Sequence, residues 1–224
     1  MDNTSKKSLI TDLSFLFLIL LAGAIYTSGI FQHLDIGLYD ESSYLAGGLS
    51  ISNGLPSAEQ APFYSIWYHL LHLIKNDSIE LYFFNYRAMT VLPAVALFLA
   101  LRVSGVPQLF SVVLALGFLV NSSNFPVWPK VSHFALLVLL SGLALTGATK
   151  KLGIKFSILL ITCLFASYAR PEYFLSAIGF GILFISLILR QEKMDGVKKR
   201  ILPLSALLTF FLISSIFYFG LPSA

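Results

Sequence analysis

Long apolar runs, with no strand-like alternation inside them, dominate this chain and restrict it to very few architectures. A run of about twenty apolar residues is long enough to cross a bilayer. With no water there to satisfy backbone N–H and C=O groups, such a run must be a helix or part of a closed barrel. Barrel strands alternate apolar and polar residues, whereas these runs are continuous, so helices are expected. Composition agrees. Hydrophobic residues make up 57% of the chain and charged residues 12%, and mean hydropathy is +0.82. Soluble domains carry roughly 25% charged residues.

Seven spans are expected, at residues 9–31, 81–103, 108–121, 131–149, 154–169, 173–189 and 201–220. The first exceeds a signal-peptide core and lacks a small-residue cleavage site, so it reads as a retained anchor. The third is short, and Val106 with its neighbours is expected to extend it. Arg170-Pro171 divides the fifth from the sixth. Proline disfavours helix in the residue before it and suits the first turn of a new one. The expected fold class is therefore all-α: one polytopic membrane domain over residues 1–224, with a loop at 32–80 inside it. Cys163 sits in an apolar run, is the single cysteine, and reads as a small packing residue.

Cation placement predicts orientation. With the N-terminus in the cytoplasm, Lys6, Lys7, Arg102, Lys150, Lys151, Lys155, Arg190, Lys193, Lys198, Lys199 and Arg200 are cytoplasmic, eleven of fifteen. Lys75, Arg87, Lys130 and Arg170 fall on the outer side, with seven of the eleven acids. The net charge of +4 thus averages two unlike faces. Topology and anionic lipid account for the cytoplasmic cations, and no basic patch interleaved with aromatics points to nucleic acid.

The one long connection, 32–80, carries structure of its own. Residues 40–52 read as a short helix stopped by Asn53-Gly54-Leu55-Pro56. Pro62 opens a second, aromatic helix through Leu71. Its Trp and Tyr content suits the membrane interface, giving two short interfacial helices in all. Gly47-Gly48 reads as a site of close helix approach, not a phosphate loop.

Two polar motifs fall on the outer side: Asp40-Glu41-Ser42-Ser43-Tyr44 after the first span, and Arg170-Pro171-Glu172 between two later ones. Charges held at the lipid boundary are costly and tend to be functional. In order, the acidic pair with Ser-Ser-Tyr, the Asn-Gly-Leu-Pro stop, the proline-started aromatic helix, Arg87 and Arg-Pro-Glu resemble the GT-C glycosyltransferase superfamily. The branch most similar holds protein O-mannosyltransferases, aminoarabinose transferases and related polyprenyl-phosphate-sugar enzymes. The resemblance covers the shared seven-helix module. It departs at Ala58-Glu59-Gln60-Ala61-Pro62, where the family has a lysine, and the family's full enzymes carry further spans.

The resemblance implies transfer of a sugar from a polyprenyl-phosphate donor to an acceptor hydroxyl, by inversion, at the outer face. It implies an acidic base, Asp40 first and Glu41 second. A carboxylate can take the acceptor's proton. Asp40 and Tyr44 are four apart and share a helix face. Arg170 and Arg87, then Lys130, are candidates to stabilise the leaving phosphate, with Glu172 beside them. The implied partners are the lipid-linked sugar, membrane lipid and other membrane proteins.

Plainer readings stand beside these. Asp40 is also good N-cap chemistry, Arg170 and Glu172 can simply pair at a turn, and Arg87 can snorkel to headgroups. His33, His69, His72 and His133 all fall outside; His69 and His72 are three apart and could form a metal edge with Asp40 or Glu41, against a reading as interface packing. No cofactor is firmly implied. Asn121-Ser122-Ser123 fits a glycosylation pattern by composition. The rival function class is a non-catalytic accessory or scaffold subunit keeping the same module. A transporter would instead show interrupted helices with midplane charges.

Overall fold

A computed structural model describes residues 3–29, 40–54, 61–123 and 130–190. Among these the chain is entirely helical: α1 Asn3–Tyr26, α2 Glu41–Leu49, α3 Pro62–His72, α4 Ser78–Val103, α5 Gln108–Ser123, α6 Val131–Leu145, α7 Leu152–Ser167 and α8 Tyr173–Arg190. Short 3₁₀ turns at Ile51–Asn53 and Thr146–Ala148 follow α2 and α6. Among the described residues, three segments, Ser8–Tyr26, Ser78–Val103 and Val131–Ala148, are long and apolar enough to cross a membrane; Gln108–Asn121 and Leu152–Ser167 are apolar but shorter. The seventh expected span, 201–220, lies outside the described residues.

Helix boundaries follow local chemistry. The Asp77 carboxylate accepts from the N–H groups of Ile79 and Glu80, both at 2.9 Å, and so caps α4. Pro62 starts α3, where its missing N–H costs nothing. Gly54, at φ 132° and ψ 161°, ends the α2 segment in a conformation essentially reserved for glycine. Val106 does not extend α5. It lies in the preceding turn, and its carbonyl accepts from Arg102 Nη1 at 2.5 Å. Pro171 likewise stays in the turn: Phe174 N–H donates to its carbonyl at 3.0 Å, and α8 starts two residues later.

α4 is the hub, packing against α1, α5, α6 and α3, while α7 joins α6 to α8. One core gathers α3, the first half of α4, the start of α6 and the end of α7. Another lies between α1, the second half of α4 and α5. This second end holds a polar clamp that the apolar pattern did not suggest. Arg102 Nε meets Asp12 Oδ1 at 2.8 Å, and Gln108 Nε2 donates to Asp12 at 3.0 Å and to the Ser8 carbonyl at 3.1 Å.

α2 lies hard against α3. A Cβ on Gly48 would sit 2.6 Å from Tyr68 Cβ and 2.8 Å from the Ser65 carbonyl. The glycine is thus the condition for the approach expected of Gly47-Gly48, and the approach is what brings Glu41 onto α3.

Candidate functional site

The first residue of α2, Glu41, is only 5% exposed. Tyr64 and Tyr68 stand one turn apart on α3 and so share a face. Their hydroxyls donate to Glu41 Oε1 at 2.5 and 2.6 Å. Asn85 Nδ2, from α4, donates to the same oxygen at 3.0 Å. The backbone N–H of Lys130, at the start of α6, donates to Oε2 at 2.7 Å. One carboxylate therefore ties the α2–α3 segment to two helices of the bundle.

Asn85 organises the group. The Trp67 indole N–H is a donor only and reaches Asn85 Oδ1 at 2.7 Å. That contact fixes the amide, turning Nδ2 toward Glu41, Tyr64 at 2.7 Å and Tyr68 at 2.8 Å. Edge-to-face rings complete the walls: Tyr44 on Tyr64 at 5.4 Å, and Tyr64 on Tyr68 at 5.3 Å.

Electrostatics here are set by dehydration. Burial pushes the Glu41 carboxyl above its ordinary range, against the Tyr64, Tyr68 and Lys130 N–H hydrogen bonds and the Lys130 charge, which favour the anion. The Tyr64 and Tyr68 phenols are held well above theirs, by burial first and then by the Glu41 charge. Lys130 is 1% exposed, with Nζ 4.6 Å from the centre of the Tyr86 ring. Burial pushes its ammonium down to about 8, with Glu41 pulling the other way.

Asp40 differs from its neighbour. It occupies the N-cap position of α2, but its side chain makes no capping hydrogen bond; only its carbonyl is used, accepting from Ser43 and Tyr44. Its carboxylate is exposed. The phenol of half-buried Tyr44 is raised by burial and then by Asp40 and Glu41, while Arg170 opposes them. The charges of Asp40 and Arg170 thus both bear on the Tyr44 phenol, in opposite directions. Arg170 pairs with Glu172 at 3.9 Å, and both side chains are well solvated. Such a pair is worth about 0–1 kcal/mol.

Of the residues expected from the sequence, Glu41 and Lys130 meet directly and Tyr44 packs on Tyr64 beside them, while Arg170 pairs with Glu172. Arg87 lines a cleft with Lys75 and Glu80. His69 Nδ1 lies 3.2 Å from the Gly48 carbonyl and His72 Nδ1 3.2 Å from that of Lys75. His33 lies outside the described residues. Among the described residues, no three His, Cys, Asp or Glu side chains are grouped to hold a metal ion. Tyr64, Tyr68, Trp67 and Asn85 were not anticipated as site residues. A lone asparagine within an apolar span was the available signal. No protein-family model, no curated protein and no solved structure matches the chain.

Proposed function

We propose that this protein is a multi-pass membrane glycosyltransferase of GT-C type. It has seven spans, a cytoplasmic N-terminus, and the Glu41 end of the bundle facing the periplasm, exterior or lumen. α2 and α3 lie at that interface. The reaction moves a sugar from a polyprenyl phosphate to an acceptor hydroxyl. Asp40 takes the hydroxyl proton as the acceptor oxygen bonds to the anomeric carbon. The bond from that carbon to the phosphate oxygen breaks on the opposite face, and the polyprenyl phosphate leaves with the electron pair. Arg170 offsets its charge.

The observation that carries this reading is the contrast between two adjacent acids. Glu41 is enclosed and spent on internal donors, so it positions α2. Asp40 is exposed and uncommitted to capping, and its charge and that of Arg170 bear on the Tyr44 phenol in opposite directions. An exposed base and a cation that both bear on Tyr44 would supply the proton acceptor and the countercharge this transfer needs. The closed hydrogen bonding of Glu41 also favours a second reading, a non-catalytic scaffold or accessory subunit, since a purely structural polar core needs nothing more.

Binding separates the two. The purified chain should bind a polyprenyl-phosphate-linked sugar, and Arg170→Ala should weaken that binding tenfold or more, because Arg–phosphate contacts are charge-assisted and directional. Absence of binding by the unmutated chain would leave the scaffold reading. Unchanged binding by Arg170→Ala would return Arg170 to a turn residue.

Orientation has its own test. In spheroplasts or sealed vesicles, an impermeant thiol reagent applied from outside should label Ser57→Cys and spare Lys151→Cys in a Cys163→Ala background. The reverse pattern would invert the chain and remove the proposed site from the outer face.

A further inference from the structure

α3 presents apolar side chains on two sides. Tyr64, Tyr68 and Leu71 face the core and are buried. On another side lie Ile66, Leu70, Leu73 and Ile74, spaced i, i+4, i+7, i+8. The helical phase holds past His72, because the N–H groups of Ile74 and Lys75 both donate to the Leu71 carbonyl, at 2.9 and 3.0 Å. At about 100° per residue the four cover about 100° of arc, centred about 140° from the buried face. Ile66 is half-buried, whereas Leu70 is 51% exposed, Leu73 72% and Ile74 69%. The stripe holds no charged residue, and Lys75 just beyond it pairs with Glu80 at 3.0 Å.

We infer that this aliphatic stripe is sunk among the acyl chains of the bilayer, so that α3 is a half-immersed helix and not one resting at headgroup depth. The aromatic residues that suited α3 to the headgroups are spent inward: Tyr64 and Tyr68 on Glu41, and the Trp67 indole on Asn85. What α3 turns outward is leucine and isoleucine, which belong on the hydrocarbon side of the boundary. The surroundings select lipid as the occupant. Near the start of the stripe, Phe63 stacks on Phe165 of α7 at 5.0 Å, and Phe165 is itself exposed. Beyond its end, Ile79 is exposed in the first turn of α4. The stripe thus joins the exposed apolar surfaces of two apolar helices, and α4 is long enough to cross a membrane. α2 stands apart from it. That helix meets α3 along Ser65, Tyr68 and His69, away from the stripe, and Asp40, Ser43 and Ser50 are exposed along it. α3 is therefore the immersed member of the pair, and α2 the one lifted toward water. This placement rests on the chain being the membrane protein proposed above, and on no step of the sugar transfer.

The test puts a nitroxide on single cysteines in a Cys163→Ala background, with the full chain in phospholipid nanodiscs. It compares collisions with oxygen, which concentrates in lipid, and with a water-soluble nickel chelate. A face sunk about 5–10 Å below the headgroups should give Leu70→Cys and Leu73→Cys an oxygen-to-nickel ratio about tenfold above that of Ser43→Cys on α2. Both leucines are exposed, so the labels should leave the melting curve unchanged; Ile74→Cys carries the test if either does not. Phe17→Cys, an exposed position on α1, should match the leucines. Ratios on α3 as low as that of Ser43→Cys would set the stripe in water as a face for a protein partner, and would overturn the immersion. Poor access for both reagents would mean that a second copy of the chain covers the stripe, and would overturn it equally. Nickel access at Phe17→Cys would remove the membrane reading itself, whereas a lipid-facing Phe17→Cys beside water-facing leucines would sink this inference alone.

Discussion

Glu41→Ala is expected to detach α2 from the bundle and to destabilise this end of the protein by about 3–5 kcal/mol, the usual cost of removing one member of a buried charged network. Two tyrosine hydroxyls, the Asn85 amide and the Lys130 N–H lose their shared acceptor at once, and the Lys130 ammonium loses its nearby countercharge. Each buried donor left unsatisfied costs about 1–3 kcal/mol. The loss should be local. The Asp12–Arg102–Gln108 clamp lies at the opposite end of α4 and shares no residue with Glu41. In a Trp128→Phe background, Trp67 becomes the only indole. Its emission should move to the red and its neighbourhood should become sensitive to protease. Unshifted emission and an unchanged melting curve would mean that Glu41 holds nothing together.

The same carboxyl predicts a pH dependence with a definite sign. Burial raises its folded-state pKa above the unfolded value of 4.5. The folded state then holds the proton more tightly than the unfolded one. Stability from this group is fully present below pH 4.5 and is lost as pH rises through the raised folded value. Lys130 does not offset this. Its folded value near 8 lies below the ordinary 10.5, so its contribution falls as pH drops through 8 and is then constant on the acid side. Subtracting the melting profile of Glu41→Gln from that of the unmutated chain should expose a gain on acidification from neutral toward pH 4.5. A difference that is flat, or that falls with acidification, would show the carboxylate to be ionised with no penalty.

Local chemistry made the elements legible and long-range contact made the site obscure. Pro62, Gly54 and Arg170-Pro171 marked chain breaks by mechanisms that act within a few residues, and the helices end close to where those mechanisms place them. The assignment of roles within Asp40-Glu41 was not legible in the same way. Adjacent residues on a helix point about 100° apart, and which one turns inward depends on the phase of α2 against α3. That phase is fixed by Gly48 meeting Tyr68 and Ser65, seventeen or more residues away in sequence. Arg87 is a further case: its place in the chain order grouped it with Arg170, whereas the structure sets it in a cleft with Lys75 and Glu80 that its spacing did not announce. Asp12 was hidden because a single acid near the start of an apolar run barely alters its hydropathy; its bonds to Arg102 and Gln108, ninety and more residues on, give it a role.

Asp40→Asn should fold, insert and bind the lipid-linked sugar, yet transfer none. Asparagine preserves the shape of the side chain and removes its proton-accepting charge. Losing a general base typically costs about 10²–10⁴ in rate. Stability should hardly move. An N-cap side chain is worth about 0.5–2 kcal/mol where it caps, but the Asp40 carboxylate makes no capping bond, so that contribution is absent. Rate and stability therefore respond in opposite proportion to the neighbouring acids: Asp40→Asn should abolish transfer and spare the fold, whereas Glu41→Ala should damage the fold first. The paired measurement is single-turnover transfer from a polyprenyl-phosphate sugar, set against a melting curve for each variant. Full transfer by Asp40→Asn would remove Asp40 from catalysis. Glu41 is an unpromising substitute, since the acceptor hydroxyl would have to displace two tyrosines from Oε1 or the Lys130 amide from Oε2 to reach it. Retained transfer would thus count against a base on α2 altogether and shift the chemistry away from this end of the helix.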